Sequence, residues 1–186
     1  MELIIKMRQK LEEKIAIPEG VSCSFSDGIL KCSKNSHETE RKISLPQVVV
    51  KVSDNEISFI CKKGNKNQYK QIKSQIAHIK NMFQGLEKNY VYELEIVHVH
   101  FPATLKVEGH KFTVNNFFGE KSQRHAIILP NVKVEVKGSK ISVTSPDREA
   151  AGKTAANLER ATAVRRRDRR IFQDGIYIVS KPGANQ

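Results

Sequence analysis

Five arginines stand within six positions near the end of this 186-residue chain: Arg165, Arg166, Arg167, Arg169 and Arg170. Their planar guanidinium forks suit bidentate binding of phosphate oxygens. Asp168 is the only acid among them. Helical steps of about 100° would spread the five around the whole cylinder, so no single salt-bridged face could neutralise them. Such a run is stable when solvated, or when wrapped by a polyanion.

Other residues invite chemical readings that fail on spacing. Ala151-Gly152-Lys153-Thr154 sits where the end of a phosphate-binding Walker loop would sit. That motif needs a glycine five residues before Gly152, and Asp147 occupies the position, where it would repel phosphates. The six histidines are scattered. His98 and His100 alternate as if on one face of a strand, but no third ligand is in view and no metal site is expected. Cys23, Cys32 and Cys61 form no Cys-x-x-Cys pair, so they read as free thiols buried on strands. No nucleophile elbow or His-Glu-x-x-His pattern occurs. No catalysis and no cofactor are expected. Asn116-Phe117-Phe118-Gly119-Glu120-Lys121 reads as a loop with two aromatics, which pack inward or stack on bases.

Charge narrows the partner. The net charge is +12, with no tryptophan and 39% hydrophobic residues, so the chain is an ordinary globular length with an extraordinary basic balance. That balance favours nucleic acid or an anionic surface. Residues 1–97 hold 16 basic against 12 acidic side chains, and residues 98–186 hold 16 against 8. The second half is thus the better phosphate-binding surface. Apolar runs are too short for a transmembrane span, and no basic amphipathic helix with a broad apolar face in the second half points to a membrane surface. The opening MELIIKMRQK has too short an apolar run for a signal peptide, and a cytoplasmic location is expected.

The elements repeat. Met1 to Lys14 reads as a helix or frayed arm from Leu3, Ile4, Met7 and Leu11. Val21, Cys23 and Phe25 alternate up to an Asp27-Gly28 hairpin turn, followed by Leu30 and Cys32. Ser33 to Arg41 reads as a polar loop and Lys62 to Asn67 as a basic one. Strands are expected at Val48–Val52 and Ile57–Ile60, then a helix from Tyr69 to Phe83 and a long strand from Tyr90 to Phe101. Leu129-Pro130 follows Leu45-Pro46 at an offset of 84 residues, and Val134-Glu135-Val136 follows Val50-Lys51-Val52 at the same offset. Ser145 and Pro146 are expected to open a second helix, about 147–163, with small residues along one face. The pattern predicts an α+β fold by tandem duplication: two small homologous domains, 1–97 and 98–186, each an antiparallel-rich sheet packed with one main helix.

Four stretches in this order, His78–Leu86 (HIKNMFQGL), His100–Gly109 (HFPATLKVEG) with Asn116–Lys121, Asp147–Glu159 (DREAAGKTAANLE) and Arg167–Ile178 (RDRRIFQDGIYI), resemble the large-subunit ribosomal protein L six family, called L nine in eukaryotes. The last two point to the archaeal or eukaryotic branch. The resemblance implies a structural, ribosome-bound protein that docks on large-subunit rRNA chiefly through its second domain. It places that domain near the sarcin–ricin region, with neighbouring ribosomal proteins and translational GTPases close by and no DNA. By position it implies RNA contact at Gly119, Lys121 and Arg124, at a helix start formed by Gly152 and Lys153 with Asn157, along the five arginines with Gln173, and at Lys181 in the tail. A non-ribosomal RNA-binding module using the same basic face is the alternative. An enzyme acting through Gly152-Lys153-Thr154 is the rival from another class.

Overall fold

The computed structural model describes residues 9–34, 37–53, 55–99 and 101–183. The chain divides into two compact units, 1–88 and 89–186.

The first unit opens with strand β1 (Gln9–Ala16), in place of the expected helix or arm. Leu11, Glu13 and Ile15 turn inward at alternate positions, so period two prevails over the helical spacing. That spacing leaned on Leu3, Ile4 and Met7, which lie outside the described residues. β2 (Ser22–Ser26) and β3 (Ile29–Lys34) form the expected hairpin, with both turn residues, Asp27 and Gly28, at positive φ. The loop expected at Ser33–Arg41 is instead mostly strand: β4 (His37–Lys42) pairs with β3. Its inward positions hold Thr39 and Arg41, so no apolar alternation betrayed it. β5 (Val49–Val52) and β6 (Glu56–Gly64) complete the strands, in two three-stranded sheets ordered β1-β6-β5 and β2-β3-β4.

Helix α1 (Lys66–Glu87) is longer than its apolar stripe alone suggested. The Asn65 side chain accepts from the Gln68 backbone N–H while the Gln68 side chain accepts from the Asn65 N–H, a capping box that starts the helix inside the expected loop. Ile72, Ile79, Met82, Phe83 and Leu86 are buried against Leu30, Ile57 and Phe59. Cys32 and Cys61 are buried in the same core, while Cys23 is half-buried beside Cys32.

The second unit repeats this plan. β7 (Tyr90–Val97), β11 (Lys133–Lys137) and β12 (Lys140–Ser145) take the places of β1, β5 and β6. β8 (Thr104–Glu108), β9 (Lys111–Asn115) and β10 (Arg124–Ile127) form the second sheet, with β9 central. A final strand, β13 (Gly175–Ser180), joins the larger sheet, giving the order β11-β12-β7-β13. β7 is therefore interior, laddered to β12 on one side and β13 on the other. This draws Tyr90–Val97 into the second unit, so the chain parts at Lys88 and Asn89 rather than between 97 and 98. The ladder ends at Val97, short of Phe101. His98 thus lies beyond the strand, and His100 lies outside the described residues.

Helix α2 (Arg148–Ala161) packs on β7, β12, β13 and β10. Its N-cap is Asp147, whose carboxylate accepts from the Glu149 N–H at 2.9 Å. Ser145, the expected cap, is buried instead. Its hydroxyl donates to the Asn131 carbonyl at 2.8 Å and accepts from the Asp147 N–H. The acid that ruled out a Walker loop is thus the residue that starts the helix. Ala151, Thr154, Ala155 and Leu158 are fully covered by the core of Leu94, Ile96, Phe112, Ile141 and Ile176.

Candidate nucleic-acid interface

Most candidate residues gather where α2 ends, while Gly152, Lys153 and Lys181 lie toward its start; they separate into those that hold the surface together and those that are left over. α2 stops at Thr162, whose hydroxyl accepts from the Ile176 N–H at 2.8 Å and so ties the helix end to β13. The last carbonyls of a helix need donors from outside it. Arg124 supplies one, donating from Nη1 to the carbonyl of Ala161 (3.3 Å), the last helical residue, and to that of Ala163 just beyond it (3.2 Å). Its Nε and Nη2 donate to the two oxygens of Glu120 at 2.8 and 2.7 Å, a bidentate pair. The guanidinium also lies 4.4 Å from the centre of the Phe117 ring. Arg124 is thus engaged internally on every side, although the family resemblance implies that it approaches RNA. Glu120 is held below the usual carboxylate range, first by its bond to Arg124 and further by the fields of Arg124 and Arg167.

The loop carrying Glu120 is strained and well anchored. Asn116 and Phe118 have φ of 58° and 54°, and Gly119 has φ of 73°. A bulky residue in the left-handed region costs on the order of 1–3 kcal/mol. Burial of Phe117 and two aromatic contacts oppose that cost. The Phe117 and Phe118 rings meet at 4.5 Å between centroids, and Phe118 meets Phe172 at 5.9 Å in an edge arrangement. Arg167 sits 4.9 Å from both the Phe118 and Phe172 centroids. A Cβ on Gly119 would lie 3.2 Å from the Phe101 ring, so glycine here is required by its φ and by a neighbour within the protein.

The arginine stretch is a loop between α2 and β13, not a helix. Arg166, at φ 58°, bends it. Asp168 is not a bystander. It accepts from the Arg170 backbone and guanidinium at 2.9–3.2 Å, and these bonds lower its pKa. The Arg170 side chain remains 90% exposed, so this pair holds it weakly. Gln173 turns back into the loop, its amide donating to the Arg170 carbonyl at 3.2 Å.

Gly152 and Lys153 do not open α2. They lie a full turn inside it, because the helix begins at Arg148. A Cβ on Gly152 would stand 2.9 Å from the Tyr92 hydroxyl, so the small residue admits β7 rather than an outside ligand. Thr154 is fully buried and its hydroxyl accepts from the Leu129 N–H at 3.3 Å. That geometry leaves no phosphate loop around Gly152-Lys153-Thr154. The Asn157 amide donates to the Ile127 carbonyl at 3.1 Å, fastening α2 to β10. In the tail, Arg148 reaches the Pro182 carbonyl at 3.5 Å, so a side chain of this domain already holds the segment that carries Lys181.

Among the described residues, no hydrogen bond, ion pair or ring contact engages the side chains of Lys121, Lys153, Arg165, Arg166, Arg169 or Lys181, and all are exposed. Arg160 joins them, a cation that sequence reasoning missed. It lies on the same outward stripe of α2 as Lys153 and Asn157, at steps of four and three, which is the signal that would have found it. Arg160 lines two adjacent depressions. One, of about 520 Å³, is shared with His125, Asn157 and Arg165, and the other, of about 310 Å³, with Arg169 and Tyr177.

Fold and surface together define the class: a duplicated α+β protein whose second copy presents unpaired cations around the end of its helix. The family model for ribosomal protein L6 matches residues 17–88 and 101–175, one segment in each unit. Large ribosomal subunit protein uL6 of Aeropyrum pernix is 42% identical over 173 residues, covering 91% of this chain and 93% of that one. The proteins of the same name from Methanosarcina mazei and Methanospirillum hungatei are 38% and 37% identical, covering 94% and 92% of this chain and 99% and 97% of their own lengths. The chain belongs to the ribosomal protein L6 family, and these relatives are archaeal.

Proposed function

We propose that the protein is a structural constituent of the large ribosomal subunit, and that its second domain docks on large-subunit rRNA with the surface around the end of α2. The observation that carries this reading is the set of exposed cations without internal partners, Lys153, Arg160, Arg165, Arg166 and Arg169, in a member of this family. A fold leaves that many like charges unpaired at a cost, and a polyanion relieves it. A-form RNA offers phosphates and 2′-hydroxyls to such a surface, while its deep groove hides the base edges. Recognition would be by shape and phosphate spacing.

In this reading Arg165, Arg166, Arg169 and the exposed Arg170 take phosphates, with Lys121, Lys153, Arg160 and Lys181 widening the contact. Gly119, Arg124, Gly152, Asn157, Arg167 and Gln173 shape the surface from within. The docking region is the neighbourhood of the sarcin–ricin stem, where neighbouring ribosomal proteins and translational GTPases would be met. No helix among the described residues is long and apolar enough to cross a membrane.

Sedimentation of lysate on sucrose gradients at low and then high salt, with the protein followed by immunoblot, tests the proposal. Co-migration with large subunits that survives high salt is the expected result. Association at low salt only would indicate a generic basic RNA-binding module, and migration as free protein at both salts would defeat the reading.

A further inference from the structure

Glu120 is an acid among the cations of the candidate interface. Lys121 follows it directly, Arg124 binds both its oxygens, and the field of Arg167 reaches it. On a surface selected only for attraction to RNA, this carboxylate is a defect: it repels phosphate and occupies a guanidinium that could bind one. Its contacts suggest a different role. The Glu120 carboxylate fixes Arg124, and Arg124 fixes the carbonyls of Ala161 and Ala163, the last residues before Val164 and Arg165. Two residues before Glu120, Phe118 supports Arg167 together with Phe172, the residue at the far end of the arginine run. The strained loop 116–120 thus grips the arginine loop near both of its ends. Between those grips lie Arg165, Arg166 and Arg169, whose side chains have no internal partner.

We infer that Glu120 is a positioning residue for RNA binding: through Arg124, and beside the Phe118–Arg167–Phe172 stack, it presets the loop that carries the phosphate-binding arginines. The inference rests on the proposed RNA-binding function. Its physical advantage is that of any preorganised binder. A loop of long side chains held in place loses less freedom on docking than a free one. Two arginines are given up as phosphate ligands so that the others of the loop arrive in register.

Glu120→Gln separates this role from plain electrostatics by the sign of its effect. The amide keeps the shape but replaces one acceptor with an NH2 that cannot receive a guanidinium. Removing a negative charge and releasing Arg124 would, by charge alone, tighten RNA binding. Positioning requires the reverse. Binding of the full chain to purified large-subunit rRNA is measured by filter retention across a salt series, with thermal melting in parallel. The expected result is affinity weaker by about tenfold and a salt slope shallower by about one, because fewer phosphates are engaged at once despite the higher net charge. Affinity equal to or tighter than wild type, or an unchanged slope, overturns the inference. If Glu120→Gln melts below the assay temperature, Glu120→Asp replaces it. That variant keeps the charge but draws the carboxylate back from Arg124 by one methylene. Charge alone then leaves binding unchanged, whereas positioning requires weaker binding with a shallower slope, and unchanged or tighter binding overturns the inference. Wild-type protein that fails to bind rRNA would instead sink the proposed function, so the two failures are distinguishable.

Discussion

Arg166 and Arg169 differ from Arg124 and Arg167 in what surrounds their guanidinium groups, although all four look alike in the sequence. Arg124 gives its donors to Glu120, Ala161 and Ala163, and Arg167 lies between two rings. Arg166 and Arg169 are exposed and make no such contacts. Replacing either with alanine should therefore leave the melting temperature nearly unchanged while reducing the salt slope of rRNA binding by about one. Circular dichroism melts and salt-dependent binding curves check this together. A large loss of stability with normal binding per folded molecule would show that these side chains support the fold instead. The corresponding Arg124→Ala change removes the donor from the carbonyls of Ala161, the last residue of α2, and Ala163, so its loss mixes folding with binding and is the poorer probe.

At the scale of elements, α2 and β13 set the geometry of the surface, and each depends on a glycine for packing rather than for a turn. Gly175 is the first residue of β13, opposite Val97. The Tyr177 ring folds back over it to donate a hydrogen bond to the Gln173 carbonyl at 2.9 Å, and a Cβ on Gly175 would meet that ring at 3.2 Å. Gly175→Val is expected to destabilise the second unit by about 1–3 kcal/mol through overpacking, and a denaturant melt that matches wild type would remove this account. Gly152 makes the same point for α2. In an exposed helix, alanine in place of glycine gains about 1 kcal/mol. Here the Tyr92 hydroxyl stands where the Cβ would go. Gly152→Ala should thus be neutral or harmful in the wild type and beneficial once Tyr92→Phe has removed the hydroxyl. Additive effects across that double-mutant cycle would show that helix and strand are not in this contact.

For the whole molecule, the repeat is the organising fact, and the position of β7 is what the repeat left ambiguous. A fragment of residues 89–186 retains β7 between β12 and β13, whereas 98–186 loses the interior strand and exposes the core residues Ile141 and Ile176. The longer fragment is expected to fold and bind rRNA, and the shorter one to lack a cooperative melt. A cooperative transition in 98–186 would count against the interior placement. Sequence alone determined the duplication, the α+β class, both helices, the hairpin at Asp27-Gly28 and the family, because these follow from local periodicity, turn chemistry and fixed offsets along the chain. It missed β4 and read most of β1 as a helix or arm, because a polar edge strand shows no apolar alternation and the spacing of Leu3, Ile4, Met7 and Leu11 fits a helix. It singled out the cationic stretch but could not sort its members. Whether an arginine is a ligand or a strut depends on which carbonyls, carboxylates and rings lie within about 5 Å of it. Those neighbours, Glu120, Ala161, Ala163, Phe118 and Phe172, reach Arg124 and Arg167 largely from other elements of the chain, and only the tertiary structure brings them together.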